Sequence, residues 1–189
     1  MPSGNTVTNV TAGKPKVTGA VYRAPLGSTI PTNATSDLAS AYACLGYCSD
    51  AGLVNSNTRE NTEIKAWGGD TVLNIQTSKT DTFKLTLIEA LSVDVLKAVF
   101  GDSNVSGTLS GGITVNVNAT ELTDSIWVID MVMRNNAVKR IVIPVGKISE
   151  MGDTTYSDSA AVGYDVTISA TPDSSGNTHY EYIKAASTN

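Results

Sequence analysis

Apolar residues fall at alternate positions over much of this chain, and at helical spacing in only two places. Thr71 to Ser78 places Val72, Asn74 and Gln76 on one side and Leu73, Ile75 and Thr77 on the other. Asp81 to Glu89 sets Phe83, Leu85 and Leu87 against Lys84, Thr86 and Ile88. This period of two predicts a pair of strands, joined at Lys79-Thr80. Gly52 to Asn57 and Thr62 to Trp67 read as two more, flanking the polar run Asn57 to Asn61 as a hairpin tip, with the next turn at Gly68-Gly69-Asp70. Lys16 to Arg23, Ile113 to Val117, Ser125 to Met133, Val138 to Pro144, Lys147 to Met151 and Gly163 to Ala170 complete the predicted strands, and Tyr180-Glu181-Tyr182 follows a turn.

Ser92 to Phe100 carries the clearest helical signal. Val95, Leu96, Val99 and Phe100 form one stripe, Ser92 stands at the N-cap position and Gly101 follows the last turn. Leu38, Tyr42 and Leu45 recur at similar spacing behind Ser36 or Asp37, with Gly46 beyond, and predict a second, short helix after the Pro- and Thr-rich connector Ala24 to Thr35. Residues 1–16 contain little that could be buried and read as a flexible N-terminal arm. Residues 17–184 read as a single domain and residues 185–189 as a short tail. Many strands with a helix over one opening predict a mainly β fold, a β-sandwich or barrel, because that architecture hides the helix stripe and most strand edges.

Composition sharpens this. At 189 residues the chain has room for one well-buried domain. Only 16% of residues are charged, so much of the surface must be Thr, Ser, Asn and Gly. The net charge of -5 and the absence of a basic patch argue against a protein that grips nucleic acid. Met1 to Lys16 lacks the apolar core of a signal peptide, and no stretch reaches the ~18 apolar residues of a transmembrane helix, so no membrane anchor is expected. Asn-x-Ser/Thr triplets at Asn9, Asn33, Asn104 and Asn118 are expected by chance in so Ser- and Thr-rich a chain.

Candidate chemistry is sparse. His179 is the single histidine, and its neighbours Asp173, Ser174 and Ser175 have the composition of a turn rather than of a triad drawn from separate elements. Glu60, Glu63, Asp70 and Asp81 lack the spacing of a calcium loop and read as solvated hairpin carboxylates. Cys44 and Cys48 read as a reduced, buried pair, since four residues of strand span about 13 Å, too far for a disulfide. Lys139-Arg140 reads as a solvated strand end or a polar contact between subunits. Trp127, inside an apolar run, belongs to a core, whereas Trp67 could stack on a sugar, which leaves a carbohydrate-binding or adhesin-like module as a second reading. No metal, cofactor or catalytic set is expected.

The segment from Ile64 to Gly101 (IKAWGGDTVLNIQTSKTDTFKLTLIEALSVDVLKAVFG), with LGYCSDAGL before it and IWVIDMVM and KRIVIPVGKISEMGDTTYSDSAAVGYDVTISATPDSSGNTHYEYI after it, resembles the tail tube proteins, or major tail proteins, of long-tailed non-contractile bacteriophages. The resemblance spans about Leu45 to Ile183. It implies a β-sandwich with a flanking helix, matched by Ser92 to Phe100, and a non-enzymatic subunit that forms stacked, hexameric rings through which the genome is ejected. It also implies a virion location after assembly in the host cytoplasm, and tape measure, tail terminator and tail-tip proteins as partners besides the chain itself. The hairpin around Arg59, Glu60, Asn61 and Glu63, with Trp67 close by, matches a loop that reaches a neighbouring subunit or ring. Sparse charge suits a subunit that packs against copies of itself, and an acidic lumen would let DNA pass without specific binding.

Overall fold

A computed structural model describes residues 4–185. The chain is mainly β, with eleven strands and one α-helix among the described residues. In chain order the strands are β1 (Lys14–Pro15), β2 (Val21–Pro25), β3 (Ala43–Cys44), β4 (Val54–Lys65), β5 (Thr71–Leu87), β6 (Val105–Thr108), β7 (Gly112–Val115), β8 (Ser125–Val132), β9 (Val138–Met151), β10 (Tyr164–Ala170) and β11 (Tyr180–Lys184); the helix α1 is Val93–Phe100. Nine strands make one antiparallel sheet in the order β3-β2-β8-β9-β10-β5-β4, with β1 beside β8 and β11 beside β9. The β6-β7 hairpin stands apart.

β9 organises this sheet. One edge pairs with β8 from Val138 to Gly146, while the other carries β11 along Val138 to Val142 and then β10 along Gly146 to Met151. Val138 to Pro144 and Lys147 to Met151 are therefore one strand, and Pro144 is accommodated where the β8 ladder shifts register. The sheet closes through residues 43–49. Cys44 pairs with Tyr22, and the Leu45 amide donates to the Val21 carbonyl at 2.9 Å. Farther along, the Ser49 amide donates to Thr86 at 2.9 Å and Cys48 bridges Leu87. One short segment thus ties β2 to β5 and turns the sheet into a barrel-like enclosure.

Alternation along the strands then builds two cores. Trp127 and Ile129 of β8 point inward with Phe83, Leu85, Ile141, Ile143, Val166 and Ile168, whereas Ile126 and Val128 point outward to Val142, Ala24 and Tyr42. Trp127 is buried as its sequence context predicts, and its indole Nε1 donates to the Gly146 carbonyl at 2.9 Å. Helix α1 buries Val95, Leu96, Ala98 and Val99 in the inner core. Its ends fall where predicted: Ser92 is the extended N-cap, although its side chain makes no capping hydrogen bond, and Gly101, at φ 98°, donates its amide to Lys97.

Besides the merged strand β9, three predicted elements differ. The helix expected over Leu38, Tyr42 and Leu45 is absent. Leu38 and Tyr42 pack on the outer core and Leu45 in the inner one, because the chain crosses the sheet edge between them at Ala43–Cys44. A helix would hold all three on one face. The first strand begins at Val21 rather than Lys16, after a turn in which the Gly19 amide donates to Lys16. Lys14 and Pro15, inside the expected arm, pair with Val132 and Met131 of β8. Of the expected tail, only Ala185 lies among the described residues, and Met1 to Ser3 also lie outside them.

The third difference is the largest. Asn57 to Asn61 is no hairpin tip, and Lys79-Thr80 is no turn: β4 and β5 run unbroken through both, opposed from Val54↔Lys84 to Lys65↔Thr71. The chain reverses instead at Ala66 to Gly69, where Gly68 and Gly69 take φ of 113° and 101°. Neither polar run contains a glycine to supply such a conformation.

Candidate assembly surface

The β4-β5 hairpin is the feature that sets this molecule apart from an ordinary closed barrel. Every residue of β4 is exposed, as is β5 from Thr71 to Lys79 apart from a half-buried Ser78. From the base at Val54 to the turn, the twelve residues of β4 reach roughly 40 Å at the usual strand rise.

The base of the hairpin is fixed by a polar cluster. The Asp81 side chain is fully buried and accepts hydrogen bonds from Asn55 Nδ2 at 2.8 Å and from Thr178 Oγ1 at 2.5 Å, while its Oδ2 lies 2.6 Å from His179 Nδ1. The His179 ring packs edge-on against Phe83, and Lys79 Nζ reaches Thr178 Oγ1 at 3.3 Å. Burial alone would raise the Asp81 pKa; the hydrogen bonds from Thr178, Asn55 and His179, with the charge of His179, outweigh it and hold the carboxyl below its ordinary value. Asp81 is therefore not the solvated carboxylate that its sequence context predicts. His179 does sit between a turn and β11 as predicted, and its role is to brace β5 against that junction.

The distal half is amphipathic. Directly opposed residues of an antiparallel pair share a face. Ile64↔Leu73 and Thr62↔Ile75 therefore gather three aliphatic side chains, each 45% to 51% exposed, on one side. The other side carries Glu63↔Asn74 and Asn61↔Gln76, and Val72, 62% exposed, is the unopposed residue where the ladder shifts register next to the turn. Trp67 stands at the turn with its whole side chain in solvent.

Of the predicted assembly residues, Arg59, Asn61 and Glu63 thus line one face, Glu60 the opposite face and Trp67 the tip. The hairpin sets them in a row and does not bring them together. Glu60 accepts a hydrogen bond from Ser78 Oγ at 3.0 Å and Glu63 one from Thr71 Oγ1 at 3.2 Å, so both brace the ladder. Arg59 faces Lys79 across the strands. Sequence reasoning missed Ile64, Leu73 and Ile75. Their signal was present, as aliphatic residues symmetrically placed about Gly68-Gly69, once that pair is taken as the hairpin turn.

Two other candidates resolve into architecture. Arg140 is buried, with its guanidinium bidentate on Asp130 at 2.7 and 2.8 Å and bonded to the Ser36 carbonyl at 2.8 Å; it is neither a solvated strand end nor a subunit contact. Asp130 raises its pKa further. That ion pair locks the connector after β2 over the outer core. Cys44 and Cys48 are not a buried pair: both thiols are free, Cys44 is exposed, and Cys48 is half-buried, with burial and then the neighbouring Cys44 pushing its thiol up to about 11. Among the described residues no group of three His, Cys, Asp or Glu is placed to hold a metal, and no helix is long and apolar enough to cross a membrane.

No curated protein matches this sequence. A family model described as Phage tail tube protein matches residues 3–189, which is nearly the whole chain and extends the resemblance seen in its central segments to both ends. A closed β body carrying a long projecting hairpin with an uncovered aliphatic face is suited to self-association, and the chain belongs to the phage tail tube protein family, non-enzymatic structural components of the virion tail that assemble with themselves into a tube.

Proposed function

We propose that this subunit forms closed rings of six that stack into the tail tube of a non-contractile phage, and that the DNA is ejected through the lumen without specific binding. The observation that carries this reading is the β4-β5 hairpin. A two-stranded ribbon projecting from its sheet is marginal by itself, and Ile64, Leu73 and Ile75 gain their full burial only against another molecule. Contact between unlike surfaces of identical copies closes into rings or propagates along an axis. Arg59, Glu60, Asn61, Glu63 and Trp67 are the polar and aromatic positions of that contact. Residues 1–16 supply a second one: they end in a two-residue pairing with β8, and Val7 and Val10 are exposed. Tape measure, tail terminator and tail-tip proteins would meet the ends and lumen of the tube, which is built in the host cytoplasm.

The test is negative-stain microscopy of the purified protein over a concentration series, with sedimentation velocity alongside. Rings or tubes are expected. Replacing Thr58 to Ser78 by a two-residue turn should leave the barrel folded and abolish tube growth; normal growth of that variant would remove the hairpin from the mechanism. Hydrogen exchange before Lys14 should slow on polymerisation. A second reading draws on the full exposure of Trp67, which suits stacking on a sugar; it predicts a persistent monomer whose fluorescence responds to saccharides.

A further inference from the structure

Beside the hairpin's own base lies a cleft of about 700 Å³, between the rim of the barrel and residues 48–55. Val21, Leu53, Leu85, Ile129, Met131 and Ile141 are among its apolar walls, and Asn55 places it next to the first residues of β4. Its volume falls within the ~300–1,000 Å³ of cavities that enclose a compact organic group. Five charged residues also line it: Asp130, Lys139 and Glu181 are held in ion pairs, whereas Lys14 and Asp50 have no ion-pair partner among the described residues.

The far end of the same hairpin has complementary features. Trp67 is fully exposed, the aliphatic side chains of Ile64 and Leu73 lie just behind it, and Lys65 and Asp70 flank the turn, again without ion-pair partners among the described residues. A cation and an anion beside an aromatic tip match an anion and a cation beside an apolar cleft.

We propose that the hairpin tip of one copy seats in the hairpin-base cleft of a second copy, with Trp67 in the cleft, Asp70 towards Lys14 and Lys65 towards Asp50. This rests on the tail tube reading and gives it a specific contact. Because each copy offers one tip and one cleft, the contact is head-to-tail and does not saturate in a dimer. Tip and base are the two ends of one ribbon, so the repeat along the assembly can be no longer than the hairpin, roughly 40 Å.

Cysteine crosslinking tests the pairing. In full-length protein carrying C44S and C48A, the double variant W67C/D50C should give a ladder of oxidised multimers on a non-reducing gel when tubes are present, with W67C or D50C alone giving none. Tubes that form without that ladder, or that crosslink W67C instead to L91C in the separate open groove beside α1, would overturn the proposed seat and leave the tube reading intact. Wild-type protein that forms neither rings nor tubes would overturn both. A measurement on unmodified protein covers the case in which the variants fail to fold. Trp127 is buried, so Trp67 is the tryptophan accessible to iodide in the free chain. It should lose most of that quenching in tubes whose axial repeat is no longer than about 40 Å. Undiminished quenching, or a longer repeat, would refute the seat.

Discussion

The two halves of β5 belong to the same strand and live in different solvents. From Asp81 to Leu87 every second side chain is buried, and Phe83 and Leu87 lose all their exposure. From Thr71 to Lys79 both faces are wet. The inner half is held by packing in a closed barrel. The outer half is held by its ladder with β4 and by the turn glycines, so its stability is local, and more of it must come from whatever it meets. Asp81 and His179 mark the border.

The comparison can be broken most directly in the barrel. Trp127→Ala removes a fully buried indole and its bond to Gly146, and should cost about 3–5 kcal/mol in denaturant-induced unfolding. A cost under 1 kcal/mol would mean that the inner core is far looser than its burial implies. At the border, Asp81→Ala removes the acceptor of Thr178 and the partner of His179, leaves Asn55 only its bond to the Thr82 carbonyl, and should cost about 1–3 kcal/mol, with faster hydrogen exchange in residues 55–65 and 71–80. Unchanged exchange there would show that the cluster does not hold the hairpin.

Acid gives a gentler handle on the same border. The Asp81 carboxyl is held below its unfolded value, so its contribution is complete above about pH 4 and is lost as the pH falls through the folded pKa. Wild type should lose more stability between neutral pH and the low-pH end of its folded range than Asp81→Asn does. Parallel stability curves for the two proteins would count against that linkage. The smallest effect belongs to the outer half. Leu73→Ser should change monomer stability by no more than about 0.5 kcal/mol, measured by thermal unfolding of the unassembled chain, while weakening assembly.

The border also separates what could be read from the sequence from what could not. Phe83, Leu85, Leu87 and Trp127, and the α1 stripe between Ser92 and Gly101, reveal themselves because one-sided burial imposes a period on the sequence. Asn57 to Asn61 and Lys79-Thr80 do not. A ribbon wet on both faces needs no alternation, so a continuous strand there looks like a turn. Leu38, Tyr42 and Leu45 mislead for another reason: their helical spacing arises from a chain that visits one side of the sheet and then the other. The Asp81–His179 and Asp130–Arg140 pairs join residues 98 and 10 positions apart, and local sequence carries no mark of partners that meet only after the sheet has formed. For the assembly surface, the glycine turn and its flanking aliphatics were legible, and the cleft, built from seven separate stretches of chain, was not.

The outer edge of β4 has one further consequence. It is the longest strand edge left unpaired by the sheet, and an unpaired edge invites any extended chain to add to it. Here two bulges in the partner strand β5, at Thr77 and Val72, twist the ribbon, and Arg59, Glu60, Glu63 and Lys65 place four charges of both signs along seven residues of β4. A passing strand finds neither a straight template nor a neutral one. Such an edge tolerates crowding: the subunit can be concentrated without strand-to-strand fibres, while a partner shaped for the hairpin still finds its place.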